Sequence, residues 1–233
     1  AAGIAIGSGT ALGAPIGGRL TELDPKLPLV VGAVALAVAG VAALRVPDRA
    51  PSGHGDSLRA GLRVLRNRPA LGVPFAFGFI DRFTAGFFAL VGSLYFREVF
   101  GLDAGAVGLT LALFFAPFAL LQYPFGRLSD RVGRTVPIAA GSATYGLVVV
   151  AIGIAGHVRL AQGGMVLVGV LGALMSPATM ALVTDLAGDD ERGVSMGGFN
   201  IAGSLGFLTG IVGGGWVAEQ YDFTTAFVLA GGA

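Results

Sequence analysis

The chain has 233 residues, of which 54% are hydrophobic and only 12% charged, with a net charge of +1 and a mean hydropathy of +0.79. Soluble domains carry roughly 25% charged residues, so this much apolar surface needs lipid as its solvent. The near-zero charge leaves no basic footprint for nucleic acid, the 40 glycines follow no three-residue period, and the lack of cysteine excludes disulfides and thiolate metal sites.

Apolar stretches of about 20 residues span a hydrocarbon layer roughly 30 Å thick as helices. Eight are found, near 1–18, 29–46, 70–96, 104–124, 136–156, 160–185, 193–218 and 223–233. At this length helices are favoured over barrel strands, because each segment must satisfy its own backbone groups in lipid. The expected fold class is therefore all-α, a polytopic transmembrane bundle of about eight helices with the last cut short. The chain opens at Ala1 and Ala2 without a methionine or a charged leader region, as expected of a piece of a longer protein.

The first span ends Gly9-Thr10-Ala11-Leu12-Gly13-Ala14-Pro15-Ile16-Gly17-Gly18. Small residues at this spacing let a helix pack tightly against a neighbour. Sliding the chain by 197 residues pairs Gly9 with Gly206, Gly13 with Gly210, Gly17 with Gly214, Gly18 with Gly215 and Glu22 with Glu219. A repeat of that length holds six helices and implies two similar six-helix halves. On that register residues 1–46 are the last two helices of the first half. Residues 47–69 are then the linker, and residues 70–233 the second half. Within the linker Leu58, Leu62 and Leu65 recur at helical spacing between arginines, which reads as a short amphipathic helix on the membrane surface or as a solvated linker.

If the first span runs outward, inside loops hold Arg45, Arg49, Arg59, Arg63, Arg66, Arg68, Arg127, Arg131, Arg134 and Arg192. Outside loops then hold Arg19, Lys26, Arg97 and Arg159. Ten against four satisfies the positive-inside rule.

In the third span Asp81 and Arg82 lie about 10 residues, or roughly 15 Å, into the helix. Charges at that depth are costly and face a cavity or a partner. Asp81 is the only acidic residue deep in any span and is the candidate proton-coupling carboxylate. Arg82 is expected to act mainly on another helix. A structural tie is the alternative for both. Gln122, Tyr145, Asn200 and the Ser176-Pro177 break are further candidate cavity residues, each also readable as a packing or kink residue. Gly193-Val194-Ser195-Met196-Gly197 matches a hydrolase elbow but begins a membrane helix, and His54 and His157 lie in loops on opposite sides.

Between the fourth and fifth spans runs Gly126-Arg127-Leu128-Ser129-Asp130-Arg131-Val132-Gly133-Arg134-Thr135. It resembles the cytoplasmic signature of the major facilitator superfamily, G-x-L-[AS]-D-[RK]-x-G-R-[RK], at nine of ten positions, with Thr135 departing. Gly126 and Gly133 are expected to allow the tight reversal, and Asp130 to sit at the N-terminal end of a neighbouring helix. Arg131 or Arg134 is expected within about 5 Å of Asp185. The resemblance implies a gating latch there, while a loop that only anchors topology fits the same residues. The first-span pattern is also similar to the helix-five motif of drug/proton antiporters, G-x-x-x-G-P-x-x-G-G, with Pro15 one place late. What the resemblance implies is a secondary transporter in the cell membrane, acting as a monomer, using protons to move a small-molecule drug or metabolite outward. An importer of a small metabolite and a non-transporting sensor are the alternatives. No enzyme activity and no cofactor are expected.

Overall fold

The computed structural model describes residues 2–45 and 64–232. The expected surface helix falls mainly on residues 58–63 and so lies outside the described residues, which resume with a helical turn over 64–67. Eight helices follow the eight apolar stretches. They are α1 (Ala2–Leu23), α2 (Leu27–Ala43), α3 (Pro69–Glu98), α4 (Ala104–Val132), α5 (Thr135–Gly153), α6 (Val158–Leu186), α7 (Arg192–Gln220) and α8 (Phe223–Gly232). No strand occurs among the described residues. Five of these helices, α3 to α7, are long and apolar enough to cross a membrane. In α1 the length suffices, 22 residues, but its glycines dilute the hydropathy.

Three of the junctions have a visible local cause. Asp103 caps α4 by accepting from the Ala106 N–H at 2.7 Å, and Asp222 accepts from the Thr225 N–H at 2.6 Å at the start of α8. Gly133 ends α4 with φ +89° and ψ 164°, a conformation that only glycine adopts without strain.

One sequence expectation about a break is corrected. The Ser176-Pro177 step does not interrupt the sixth span: α6 runs unbroken from Val158 to Leu186 with Pro177 inside it, as Pro15 lies inside α1. Neighbouring helices absorb a lost backbone bond in such bundles; two residues after the proline, Thr179 donates to the Met175 carbonyl at 3.0 Å. The departure from α-geometry lies instead in α3, where Phe88–Gly92 form one wide π turn. Ser93 donates to the Ala89 carbonyl at 3.0 Å at its end.

The helices pair α1 with α4, α3 with α7, α4 and α5 with α6, and α8 with α5 and α7. Phe87, Phe88, Tyr95, Phe96 and Phe227 form the buried aromatic core, with the Tyr95 and Phe227 rings 4.8 Å apart. A second cluster, Val64, Leu71, Val183 and Phe199, ties the chain before α3 to α6 and α7. Large apolar side chains point outward all round, among them Leu12, Leu36, Leu120 and Leu147. That exposed surface is the reverse of a soluble protein's and suits lipid.

Candidate functional site

The inner signature occupies the end of α4 and the turn into α5. Arg134 stands as N-cap of α5, and its Nε lies 3.0 Å from Asp185 Oδ2 near the end of α6. Its Nη1 also contacts the Asp130 carboxylate and lies 3.3 Å from Ser129 Oγ. Donating to the Asp130 carboxylate, then to that of Asp185, holds the Arg134 guanidinium above its ordinary value, so its charge is fixed. A planar fork with several donors suits this double engagement, which joins α4, α5 and α6 at one point. Arg131 is exposed and pairs with no carboxylate among the described residues. Asp130 meets the start of α5 through Arg134 and not through free backbone N–H groups. The two signature glycines differ. Gly133 is required by its positive φ, whereas Gly126 sits inside α4, where an added Cβ would meet only Pro177 Cβ at 3.7 Å. The expectation that Gly126 is needed for the reversal is corrected, because the reversal happens seven residues later.

Asp81 lies on α3 against a crevice of about 10 Å³ shared with Met175, Ser176 and Thr179 of α6 and Phe199 of α7. That is about the room one water needs. The carboxylate side chain is 27% exposed, and Arg82 Nε lies 3.9 Å from its Oδ2. Arg82 was expected to act mainly on another helix. Its stem does cross to α7, with Cγ 3.0 Å from where a Cβ on Gly203 would sit, but its charge is nearest Asp81. Successive residues diverge by about 100° at Cα, and the length of the arginine stem closes that angle.

Among the candidate cavity residues, Tyr145 is corrected. It is buried in the core and donates to Thr84 Oγ1 at 3.1 Å, while Thr84 donates to the Asp81 carbonyl at 2.8 Å. It therefore ties α5 to the turn carrying Asp81 and faces no open space. Gln122 Nε2 is buried with no partner among the described residues, and Asn200 is exposed on α7. Ser195 is buried in α7, and its hydroxyl has no hydrogen-bond partner among the described residues.

The α1 packing motif is partly corrected. An added Cβ on Gly9, Gly13 or Gly17 meets nothing within 4 Å among the described residues. Contact with α4 is made by Gly7 against Ala119, Ala14 and Pro15 against Gly108, and Gly18 against Ala104. At 100° per residue that face lies roughly a third of a turn from the glycine stripe.

Two polar contacts were missed in the sequence. Arg68 donates from Nε to Glu191 Oε2 at 2.7 Å and from Nη1 to the Leu186 carbonyl at 3.2 Å, joining the chain before α3 to the loop after α6. Glu22 on α1 accepts from the Gly105 N–H of α4 at 2.6 Å. Neither pair carries a sequence signal, since the partners stand 123 and 83 positions apart.

A family model described as Major Facilitator Superfamily matches residues 75–233. Multidrug resistance protein 2 of Bacillus subtilis is 34% identical over 124 residues, covering 53% of this chain and 31% of its own length. The class G tetracycline resistance protein of Vibrio anguillarum is 28% identical over 238 residues, covering 92% of this chain and 58% of its own. Among solved structures, the peptide transporter POT in complex with sulfate superposes with a TM-score of 0.54 at 28% identity, over 81% of this chain and 37% of that one. The chain thus spans about a third to three fifths of the length of these proteins. With the helical bundle, the inner signature and a family match over more than half its residues, this multi-pass membrane protein belongs to the Major Facilitator Superfamily.

Proposed function

We propose that this chain is the second six-helix half, with the last two helices of the first, of a secondary transporter in the cell membrane that exports a drug or metabolite in exchange for protons. The observation that carries the reading is Asp81, a carboxylate deep in α3 that borders a crevice between α3, α6 and α7. Alternating access rocks two bundles around a midplane site, and a carboxylate at that depth exchanges a proton when the crevice opens. Arg82 beside it offers a charge partner whenever Asp81 is ionised. Arg134, held between Asp130 and Asp185, is the gating latch on the inner side. The relatives named for multidrug and tetracycline resistance favour efflux. The transporter works as a monomer, with the bilayer, protons and a small-molecule substrate as its partners.

The test uses full-length transporter in liposomes. Asp81→Asn abolishes flux driven by a pH gradient and leaves substrate counterflow intact. Undiminished proton-driven flux removes Asp81 from the mechanism. The second reading, an importer of a small metabolite, draws on the fold likeness to a peptide transporter. The direction of tracer movement under an imposed pH gradient separates the two, and absence of any flux leaves the sensor.

A further inference from the structure

A charged contact at the other end of the molecule bridges elements that the repeat assigns to different halves. α1 ends with Leu20-Thr21-Glu22-Leu23, and α4 begins with Asp103-Ala104-Gly105, both at the end the charge balance places outside. The first N–H groups of a helix have no partner within it. Asp103 takes one of them, from Ala106, at 2.7 Å. Glu22 takes another, from Gly105, at 2.6 Å, and does so from a different helix. Its carboxylate therefore sits on the positive end of the α4 dipole, in a charge-assisted hydrogen bond.

The seam beneath aims this contact. A Cβ on Gly18 would collide with the Ala104 carbonyl, and one on Gly108 with the Ala14 carbonyl, so main chain meets main chain on both sides. Helices packed that closely place Glu22 beside Gly105 without slack. Glu219, its counterpart 197 residues on, is exposed beside a groove of about 620 Å³ with Glu98 and Trp216 and has no hydrogen-bond partner among the described residues. A carboxylate at a helix exit thus does not acquire such a bond by default.

We propose that Glu22 is an outer latch, a positioning residue that holds the outer ends of the two halves together by capping the start of α4. The inference rests on the division into halves and on alternating access. Opening toward the outside draws the end of α1 from the start of α4, breaks the Glu22 bond and returns the Gly105 N–H to water.

These 233 residues hold no cysteine; with any cysteine elsewhere in the full-length transporter replaced by serine, a pair of spin labels is placed at Lys26→Cys and Val99→Cys. Electron–electron distance measurements in lipid nanodiscs then read closed and open outer ends as short and long populations. Glu22→Ala lowers the short-to-long ratio roughly two- to tenfold, the range expected for losing a charge at a helix start. Glu22→Gln, which keeps volume and an acceptor oxygen, lowers it less. Asp24→Ala removes a charge two residues away, whose carboxylate accepts only from the Lys26 N–H, at 2.7 Å, among the described residues, and leaves the ratio unchanged. An unchanged ratio in Glu22→Ala, or an equal drop in Asp24→Ala, overturns the latch. Should the alanine variant not fold, an unchanged ratio in Glu22→Gln overturns it as well. Tracer flux in the same preparations keeps the two readings apart. Transport without a Glu22-dependent shift sinks the latch alone, and a shift without any transport sinks the transporter reading and leaves the latch.

Discussion

α1 and α7 carry the same spacing of glycines and bury different faces of it. In α7 the stripe Gly206, Gly210 and Gly214 lies on α3, so close that a Cβ on Gly206 or Gly210 would overlap the Phe79 or Phe83 carbonyl. In α1 the matching Gly9, Gly13 and Gly17 meet nothing within 4 Å among the described residues, and the helix turns Gly7, Ala14 and Gly18 to α4. A glycine stripe sets how near a neighbour can come, because it removes the side chains that keep backbones apart. Which neighbour comes is decided elsewhere, by the order of helices around the bundle. The repeat therefore predicts shape more reliably than contact.

The largest effect that can break this comparison comes from one substitution made at both places. In the 233-residue chain, Gly210→Val pushes α7 off α3 and costs roughly 3 kcal/mol or more, since main chain cannot relax as a flexible side chain does. Gly13→Val, its counterpart in the repeat, stays within about 0.5 kcal/mol. Thermal unfolding in detergent measures both, with Trp216, the single tryptophan, as the probe. Equal losses would mean that the α1 stripe is occupied.

The same contrast recurs within the inner signature, on a smaller scale. Gly133→Ala forces a Cβ onto a residue with φ +89° and costs about 1–3 kcal/mol. Gly126→Ala finds ordinary van der Waals room beside Pro177 and replaces a helical glycine, a change that stabilises by up to about 1 kcal/mol. Opposite signs from two glycines of one motif would separate backbone need from mere recurrence; two losses would restore both to the turn.

What was legible in the sequence had either a length or a partner of known type. The eight stretches were visible because a helix crossing lipid needs about 20 apolar residues in a row. The Arg134–Asp185 pair was visible because a short basic loop and an acidic residue at a helix end on the same side seek each other. The Glu22–Gly105 contact was not visible as a pair, since a backbone N–H carries no residue signature and the partners stand 83 positions apart. The π turn over Phe88–Gly92 follows no proline, and the sequence there, Phe-Ala-Leu-Val-Gly, is that of an ordinary membrane helix. Pro177 misled in the opposite direction, because a proline costs a helix one bond and the neighbours in a bundle absorb the loss.

The smallest effect concerns two of the three arginines of the signature, Arg131 and Arg134, which composition treats alike and geometry does not. Arg134 touches Asp130 and Asp185, and removing it leaves two carboxylates without the cation between them. All three groups are partly exposed, so water screens much of the loss, and Arg134→Ala costs about 1 kcal/mol at most. Arg134→Lys recovers only part of it, because an ammonium lacks the planar fork that holds two carboxylates at once. Arg131→Ala stays within about 0.5 kcal/mol. A double-mutant cycle isolates the pair itself: Arg134→Ala with Asp185→Ala gives a coupling of about 0.2–1 kcal/mol, and Arg131→Ala with Asp185→Ala gives none. Salt sharpens the distinction, since a coupling between exposed charges shrinks as ionic strength rises. A coupling that persisted undiminished in high salt would point to packing around Arg134 and not to its charge. Coupling through Arg131 instead would place the clamp one helical turn earlier, on α4 alone, and untie α5 from the end of α6.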